Sequence, residues 1–214
     1  MSFLTLKVAP KYLKLKVPIP QILMLDTVLK VAHKLEDEGI EYFLIAGSLL
    51  GAIRQKAFAG RPSDFDIAIK DNDRQKLLAL ESEFHKLGLK SKNHISIRLD
   101  KSSYGGLVHI WPRTLRRKTR WGMIDVHVHE EVGDHWRFIG SDATLDEVPK
   151  FQALLKFPSA NNLITAEIFG FLFPIPVNAE DYLVKAYAPN WRTPIGYKEH
   201  LAKHSVLIDA QKKK

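Results

Sequence analysis

The sequence predicts an α+β fold: a mixed sheet with helices packed on it, followed by a C-terminal extension of helical and irregular structure. Three observations predict it. Residues 21–88 alternate segments of helical apolar spacing with short strand-like segments, and several further strand-like segments come after them. From residue 150 onward, aromatic residues and proline become frequent. An order of helix, strand, helix, strand, helix and then several strands favours a mixed sheet with its helices largely on one face.

The first helix and strand are predicted from the spacing of apolar residues. Residues 21–38 place these residues on one helical face, and Gly39 is the predicted C-cap. Residues 42–46 form a short, continuously apolar run, which indicates a buried central strand. A Gly47-Ser48 turn should follow, leading into a short helix over residues 49–55.

The second predicted strand carries two acidic residues. Over residues 64–69, apolar side chains alternate with Asp64, Asp66 and Ala68. Because strand side chains repeat every two residues, this strand has one apolar face and one carboxylate face.

The later elements are predicted from similar patterns. Asp71 or Asn72 should cap a helix that runs to about Leu87 and ends at Gly88. Three strands and a weaker fourth are then expected, over residues 94–99, 106–111, 123–129 and 136–139. In the extension, Asn178 should cap a helix over residues 179–187.

Length and composition fit one globular domain. We predict a single domain over residues 1–214, with a core at 20–149 and the extension at 150–214 packed on it. No apolar run approaches the roughly 18 residues that span a bilayer. Residues 1–20 lack the features of a signal peptide, so a cytoplasmic protein is expected. The absence of cysteine excludes disulfides and thiolate metal sites.

The net charge of +8 favours anionic partners such as nucleotides, phosphorylated polymers, nucleic acid or a membrane surface. Solubility explains the charge equally well. The basic residues concentrate locally at Arg113, Arg116, Arg117, Lys118 and Arg120. This basic segment is either a solvated loop, a lid over phosphates or a dock for an anionic acceptor.

The two aspartates of the second strand are candidate metal ligands. Asp64 and Asp66 share a strand face at a spacing of roughly 7 Å, and such carboxylates can jointly bind a divalent cation. Magnesium suits oxygen ligands and completes its shell with substrate phosphates and water; Mn²⁺ is a second candidate. The alternative is a pair of solvated acids at a strand end.

The Gly47-Ser48 turn is a candidate phosphate site. Glycine allows close approach of the backbone, and a helix that follows it points N–H groups at an anion. Arg54 is placed to reach a phosphate oxygen. The alternatives are an ordinary turn in which Ser48 is the N-cap, and a surface arginine.

A third acid, Asp125, lies inside an apolar strand, where an unpaired carboxylate is costly. We expect it to complete the metal site or to act as general base on an attacking hydroxyl, with a structural salt bridge as the alternative. His127 and His129 share its strand face, which allows a zinc site. Magnesium explains more of the sequence, and His127 is then expected to hydrogen-bond the acceptor.

Five segments carry a resemblance to a known family. They are residues 42–54, Asp64-Phe65-Asp66-Ile67, Ile124-Asp125-Val126, residues 169–183 and residues 187–191. They resemble the LicD/fukutin family of phosphotransferases, within the nucleotidyltransferase fold superfamily. Many members carry Trp-Asp-Asp-Asp-Ile-Asp at the acidic motif. This chain has one acid fewer there, so both one and two bound metals stay open.

The resemblance implies a metal-dependent transferase with a nucleotidyltransferase-like sheet. It would move a phosphocholine- or ribitol-phosphate-like group from a CDP-linked donor to a sugar hydroxyl of a glycan. Asp64 and Asp66 would hold magnesium, and Asp125 would complete the site or take the proton. The turn and the arginine described above would hold phosphate.

Two other functions compete with this one. The first is nucleotidyl transfer to a small-molecule hydroxyl with release of pyrophosphate. The second is non-catalytic binding of an anionic polymer or nucleic acid, supported by the basic segment and the charge of +8. Three acids on strand faces speak against the second, so nucleic acid is not the expected partner.

Overall fold

The computed structural model describes residues 19–59, 64–97, 103–113, 122–132, 135–138, 156–158, 163–187 and 189–195. The helices are α1 (Ile19–Asp37), α2 (Ala46–Gln55), α3 (Arg74–Ala79), α4 (Glu81–Lys86) and α5 (Ala179–Tyr187), with a 3₁₀ turn at Asp71–Asp73. The first five strands are β1 (Tyr42–Leu44), β2 (Asp64–Lys70), β3 (Leu89–Ile97), β4 (Ser103–Pro112) and β5 (Met123–Val132). The others are β6 (His135–Phe138), β7 (Lys156–Pro158), β8 (Leu163–Ile168) and β9 (Phe171–Pro176).

The predicted α+β fold with a mixed sheet is confirmed. Five strands lie in the order β1-β2-β5-β4-β3, β6 pairs with β5, and β7 pairs with β6. Strands β2 and β5 are parallel, whereas β1 is antiparallel to β2 and β4 is antiparallel to β5. The parallel pair therefore lies in the middle of the sheet, and β2 and β5 are the strands on which the sequence placed its acids.

Helix α1 covers one face of this central pair. Its side chains Val28 and Val31 surround the same small interior space as Phe65, Ile67 and Ile124. All five are buried. Because β2 alternates, burial of its apolar face against α1 directs Asp64 and Asp66 to the opposite face.

Helix α2 begins earlier than the sequence predicted. It starts at Ala46, so Gly47 and Ser48 lie in its first turn rather than before it. The N-cap is Ile45, without a side-chain cap, so the alternative in which Ser48 is the N-cap is wrong. Ala46 has φ +46°, in the left-handed region that non-glycine residues rarely occupy.

Other helix boundaries follow the predictions in part. The glycines expected to end two helices, Gly39 and Gly88, have φ of +63° and +77°, as a left-handed C-cap requires. The single helix expected from Asp71 or Asn72 to Leu87 is instead a 3₁₀ turn followed by α3 and α4, interrupted at Leu80.

The C-terminal part, residues 163–195, combines a hairpin of β8 and β9 with α5. The bounds predicted for α5 are confirmed. The Oδ1 atom of Asn178 has no hydrogen-bond partner among the described residues, so the predicted side-chain cap is not formed. Within this part Phe173, Ile175, Leu183 and Trp191 are buried in the same core as the sheet.

The basic segment falls largely outside the described residues. Of the basic segment, only Arg113 is described; it is exposed, and its N–H donates to the Gly88 carbonyl at 2.8 Å. None of the helices in the described ranges is long and apolar enough to cross a bilayer.

Candidate active site

The three predicted acids lie on two neighbouring strands. The parallel register of β2 and β5 places Asp66 opposite Asp125 and Asp64 opposite Met123. Residues opposite each other in the register point to the same face, and Asp64 lies two residues from Asp66 on that face. All three carboxylates are partly exposed. The sheet thus brings the predicted acids together on the face opposite α1.

A histidine accompanies each of the two central acids. The Nε2 atom of His127 lies 3.4 Å from Oδ1 of Asp66, and Nε2 of His109 lies 3.5 Å from Oδ1 of Asp125. An N–H at Nε2 of His127 can donate to the Asp66 carboxylate and fix its orientation, whereas His109 faces Asp125 at the distance of a charge pair. His127 was predicted as a site residue, and its contact with Asp66 places it beside the acids.

The sequence analysis missed His109. It belongs to β4, which pairs with β5 so that His109 stands opposite Asp125. A signal was available, because His109 is a polar residue inside an apolar strand and such a side chain needs a partner when it is buried. Which partner it has depends on the register between β4 and β5, which the spacing does not reveal.

The first turn of α2 is tied to the backbone of Asp66. The Asp66 N–H donates to the Ser48 hydroxyl at 2.8 Å, and the Ile45 N–H donates to the Asp66 carbonyl at 3.3 Å. At Gly47, an added Cβ atom would lie 3.9 Å from Oδ2 of Asp66. The predicted phosphate turn and the predicted metal ligand are therefore in contact, which the linear sequence left undetermined.

Arg54 lies in the last turn of α2. Its Nη1 donates to the carbonyl of Trp191 at 3.4 Å, and its Nε and Nη2 donate to Oε1 of Gln55. Burial lowers the pKa of the Arg54 guanidinium. Arg54 follows Gly47 by seven residues, which is roughly 10 Å along a helix. Arg54 and the first turn of α2 would therefore contact different parts of a bound substrate.

Two tyrosines of α5 also face this region. The Tyr182 hydroxyl accepts a hydrogen bond from the Ala46 N–H at 3.2 Å. Burial raises the pKa of Tyr187, and the nearby charge of Asp66 raises it further, while Arg54 opposes this. These tyrosines were not among the predicted site residues, although the C-terminal segment that contains them carried part of the family resemblance.

His129 belongs to the hydrophobic surroundings of the site. It is 1% exposed, and its ring lies near those of Phe43 and Phe138. Its Nδ1 lies 3.2 Å from the His127 carbonyl, to which an Nδ1–H can donate. Burial lowers the pKa of His129 to about 3. A zinc site formed by Asp125, His127 and His129 is not supported, since no three His, Asp or Glu side chains of the described residues converge around one metal position.

The arrangement of the carboxylates also decides how Mg²⁺ could bind. No three carboxylates of the described residues converge on one point. Protein groups alone therefore do not form a complete binding site for a cation. Magnesium, however, is usually bound by one or two carboxylates together with substrate phosphates and water. Asp66 supplies such a pair either with Asp64, on the same strand face, or with Asp125, opposite it in the register; all three are partly exposed. The donor set therefore fits a metal that arrives with a phosphorylated substrate.

Comparison with known proteins gives one family match and several similarities of fold. The family model described as "LicD/FKTN/FKRP, nucleotidyltransferase domain" matches residues 39–178, which is more than half of the chain. The lincosamide antibiotic adenylyltransferase LnuA with bound lincomycin is 13% identical, with a TM-score of 0.45 over 82% of this chain and 90% of that one. ANT(2″)-Ia in complex with adenylyl-2″-tobramycin is 14% identical, with a TM-score of 0.41 over 88% of each chain. No curated protein matches the sequence.

Proposed function

Because the chain belongs to the LicD/FKTN/FKRP family of nucleotidyltransferase domains and is thereby a transferase, we propose that it transfers a phosphate-linked group. The donor is CDP-activated, the group is of the phosphocholine or ribitol phosphate type, and the acceptor is a sugar hydroxyl of a glycan. The reaction releases CMP and requires Mg²⁺, which Mn²⁺ can replace.

One observation carries this proposal: Asp66 and Asp125 lie opposite each other in the register, and the first turn of α2 contacts Asp66 through Ser48. A metal-dependent phosphoryl transfer needs carboxylates for the cation and a phosphate cradle next to them. Because Gly47 has no side chain, it leaves the approach to Asp66 open. A donor diphosphate placed against this turn would therefore lie within reach of both carboxylates.

In this proposal the site residues divide the work between the cation, the diphosphate and the acceptor. Asp64 and Asp66 hold the cation, Gly47 and Ser48 present the turn to the diphosphate, and Arg54 neutralises phosphate charge. When bound, the cation neutralises the charge that develops on the phosphates. The acceptor hydroxyl attacks the distal phosphorus and the bond from that phosphorus to the CMP oxygen breaks.

The proton of the attacking hydroxyl needs an acceptor. Asp125 takes it or completes the cation site, and Nε2 of His109 faces this carboxylate at 3.5 Å. His127 lies at the same surface and hydrogen-bonds the acceptor sugar as well as Asp66. These tasks match the chemistry of each group: a carboxylate accepts protons, and an imidazole both donates and accepts.

The test is release of CMP from CDP-choline or CDP-ribitol in the presence of a glycan acceptor. Asp66→Asn should lower turnover by about two to three orders of magnitude, in line with loss of one electrostatic contact to the transition state. A chelator should abolish turnover, and Mg²⁺ should restore it. Asp71→Asn is the matched control, because Asp71 is an exposed acid directly after the same strand. Equal turnover in both variants would exclude the metal role of Asp66.

Nucleotidyl transfer to a small-molecule hydroxyl is the second candidate, since the matching family model is described as a nucleotidyltransferase domain. It uses the same acids, but the hydroxyl attacks the α-phosphate and pyrophosphate leaves. Product analysis separates the two: CMP for the first reaction, pyrophosphate for the second. Metal-independent binding of RNA or DNA that weakens steeply with salt would instead favour the polymer-binding function.

A further inference from the structure

The C-terminal part of the chain holds helix α2 at both of its ends. At the beginning of α2, the Tyr182 hydroxyl accepts the Ala46 N–H at 3.2 Å. At its end, the Phe169 N–H donates to the carbonyl of Lys56, the C-cap, at 2.9 Å. These bonds join parts of the chain more than a hundred residues apart.

The contact at the beginning of α2 falls on an unusual backbone position. Ala46 has φ +46°, a conformation that costs an L-residue free energy unless the surroundings hold it. Ile45 provides no side-chain cap for the helix. The first N–H groups of a helix have no partner within the helix, and the Tyr182 hydroxyl supplies one for Ala46 from a position inside the core, where this tyrosine is 2% exposed.

We propose that Tyr182 is a positioning residue, whose hydroxyl holds the first turn of α2 in the conformation that binds the donor phosphates. The inference rests on the proposed function, because it assigns that turn to the diphosphate. With Ala46 fixed from one side and Ser48 bonded to Asp66 from the other, the N–H groups of the turn keep one orientation relative to the carboxylates. Without the hydroxyl, Ala46 can leave the left-handed region and the cradle is lost part of the time.

The experiment uses Tyr182→Phe, which removes the hydroxyl and keeps the ring in the core. The donor KM, or the Kd for CDP with Mg²⁺, should rise about fivefold to tenfold, the effect of one lost hydrogen bond, while the acceptor KM stays the same. Amide hydrogen exchange at Ala46 should accelerate by a similar factor. Tyr42→Phe is the matched control: its hydroxyl donates to Glu36 at 3.0 Å, and its ring lies among the α1 contacts on the other face of the sheet.

A second variant separates positioning from general stability. Glycine adopts the left-handed region without strain, so Ala46→Gly in the Tyr182→Phe background should return part of the lost donor affinity. If Tyr182→Phe changes the donor KM no more than Tyr42→Phe does, the positioning role is excluded. If the wild-type protein binds the nucleotide but does not turn over, the proposed reaction is overturned. The positioning role is then decided by the Kd for CDP in Tyr182→Phe compared with Tyr42→Phe. A wild-type protein that neither turns over nor binds CDP would overturn both.

Discussion

His129 is a buried histidine that the surrounding side chains keep neutral. The ring is 1% exposed, and burial lowers its pKa to about 3. In the unfolded chain the same imidazole titrates near its ordinary pKa of about 6.5. Between these two values the unfolded state binds one proton more than the folded state, so the folded state loses stability as the pH falls through this window.

The prediction concerns the slope of stability against pH. From about pH 6 down to about pH 3, protonation of His129 in the unfolded state should lower the free energy of unfolding by about 1 kcal/mol per pH unit. His129→Asn keeps an N–H donor for the His127 carbonyl but cannot take up a proton. The variant should be less stable at pH 7, because its side chain is smaller, and its stability should fall less steeply with acid. Urea unfolding at pH 7, 6, 5 and 4 measures both; parallel curves would contradict the prediction.

At the scale of elements, α2 is packed so closely that one of its glycines has no substitute. A Cβ atom at Gly51 would lie 2.3 Å from the carbonyl oxygen of Ala57 and 2.6 Å from the backbone nitrogen of Ala59. Both are backbone atoms and cannot rotate away. Gly51→Ala should therefore lower the free energy of unfolding by about 3 kcal/mol, the upper range for overpacking, as measured by denaturant unfolding.

Gly47→Ala is the matched variant, one helical turn earlier. Its Cβ would meet only Oδ2 of Asp66, at 3.9 Å, an ordinary contact distance. Stability should stay constant or rise by up to about 1 kcal/mol, because alanine is the better helix former. The donor KM should nevertheless rise, since the methyl group enters the approach assigned to the diphosphate. Loss of stability without a change in donor KM would contradict this assignment of Gly47.

How far the elements could be predicted depended on whether their signals are local. The bounds of α5 follow from its acidic first turn and from Pro189 shortly after its end, and they are confirmed. The beginning of α2 was placed too late, because Ala46 is held by a tyrosine 136 residues away. The break at Leu80 carries neither glycine nor proline, so apolar spacing suggested one continuous helix.

The candidate site shows the same distinction between local signals, which could be predicted, and long-range signals, which could not. The residue types and the shared face of Asp64 and Asp66 follow from a period of two within one strand. The pairing of Asp66 with Asp125 requires β2 and β5 to be parallel neighbours in one register, and the spacing within each strand does not contain that information. His109 was missed because its partner is set by a second register, between β4 and β5.

At the scale of the whole molecule, the C-terminal part and the sheet share one core. Leu183 and Phe173 belong to the same cluster of buried side chains as Phe65 and Val126. The ends of α2 are bonded to this C-terminal part. We therefore expect the single domain predicted from the sequence to unfold in one cooperative step, with no separate opening of residues 163–195.

Leu183→Ala tests this cooperativity. Leu183 is fully buried in α5, at 0% exposure, and truncation of such a leucine costs about 2–5 kcal/mol. If the core is shared, native-state hydrogen exchange should accelerate in β2 and β5 by the same factor as in α5, because these amides exchange only through global unfolding. Val184→Ala is the control: the neighbouring side chain is 40% exposed and its removal should change little. Acceleration confined to residues 163–187 would mean that the C-terminal part opens alone, and the donor site would then depend on an element that the sheet does not need for its own stability.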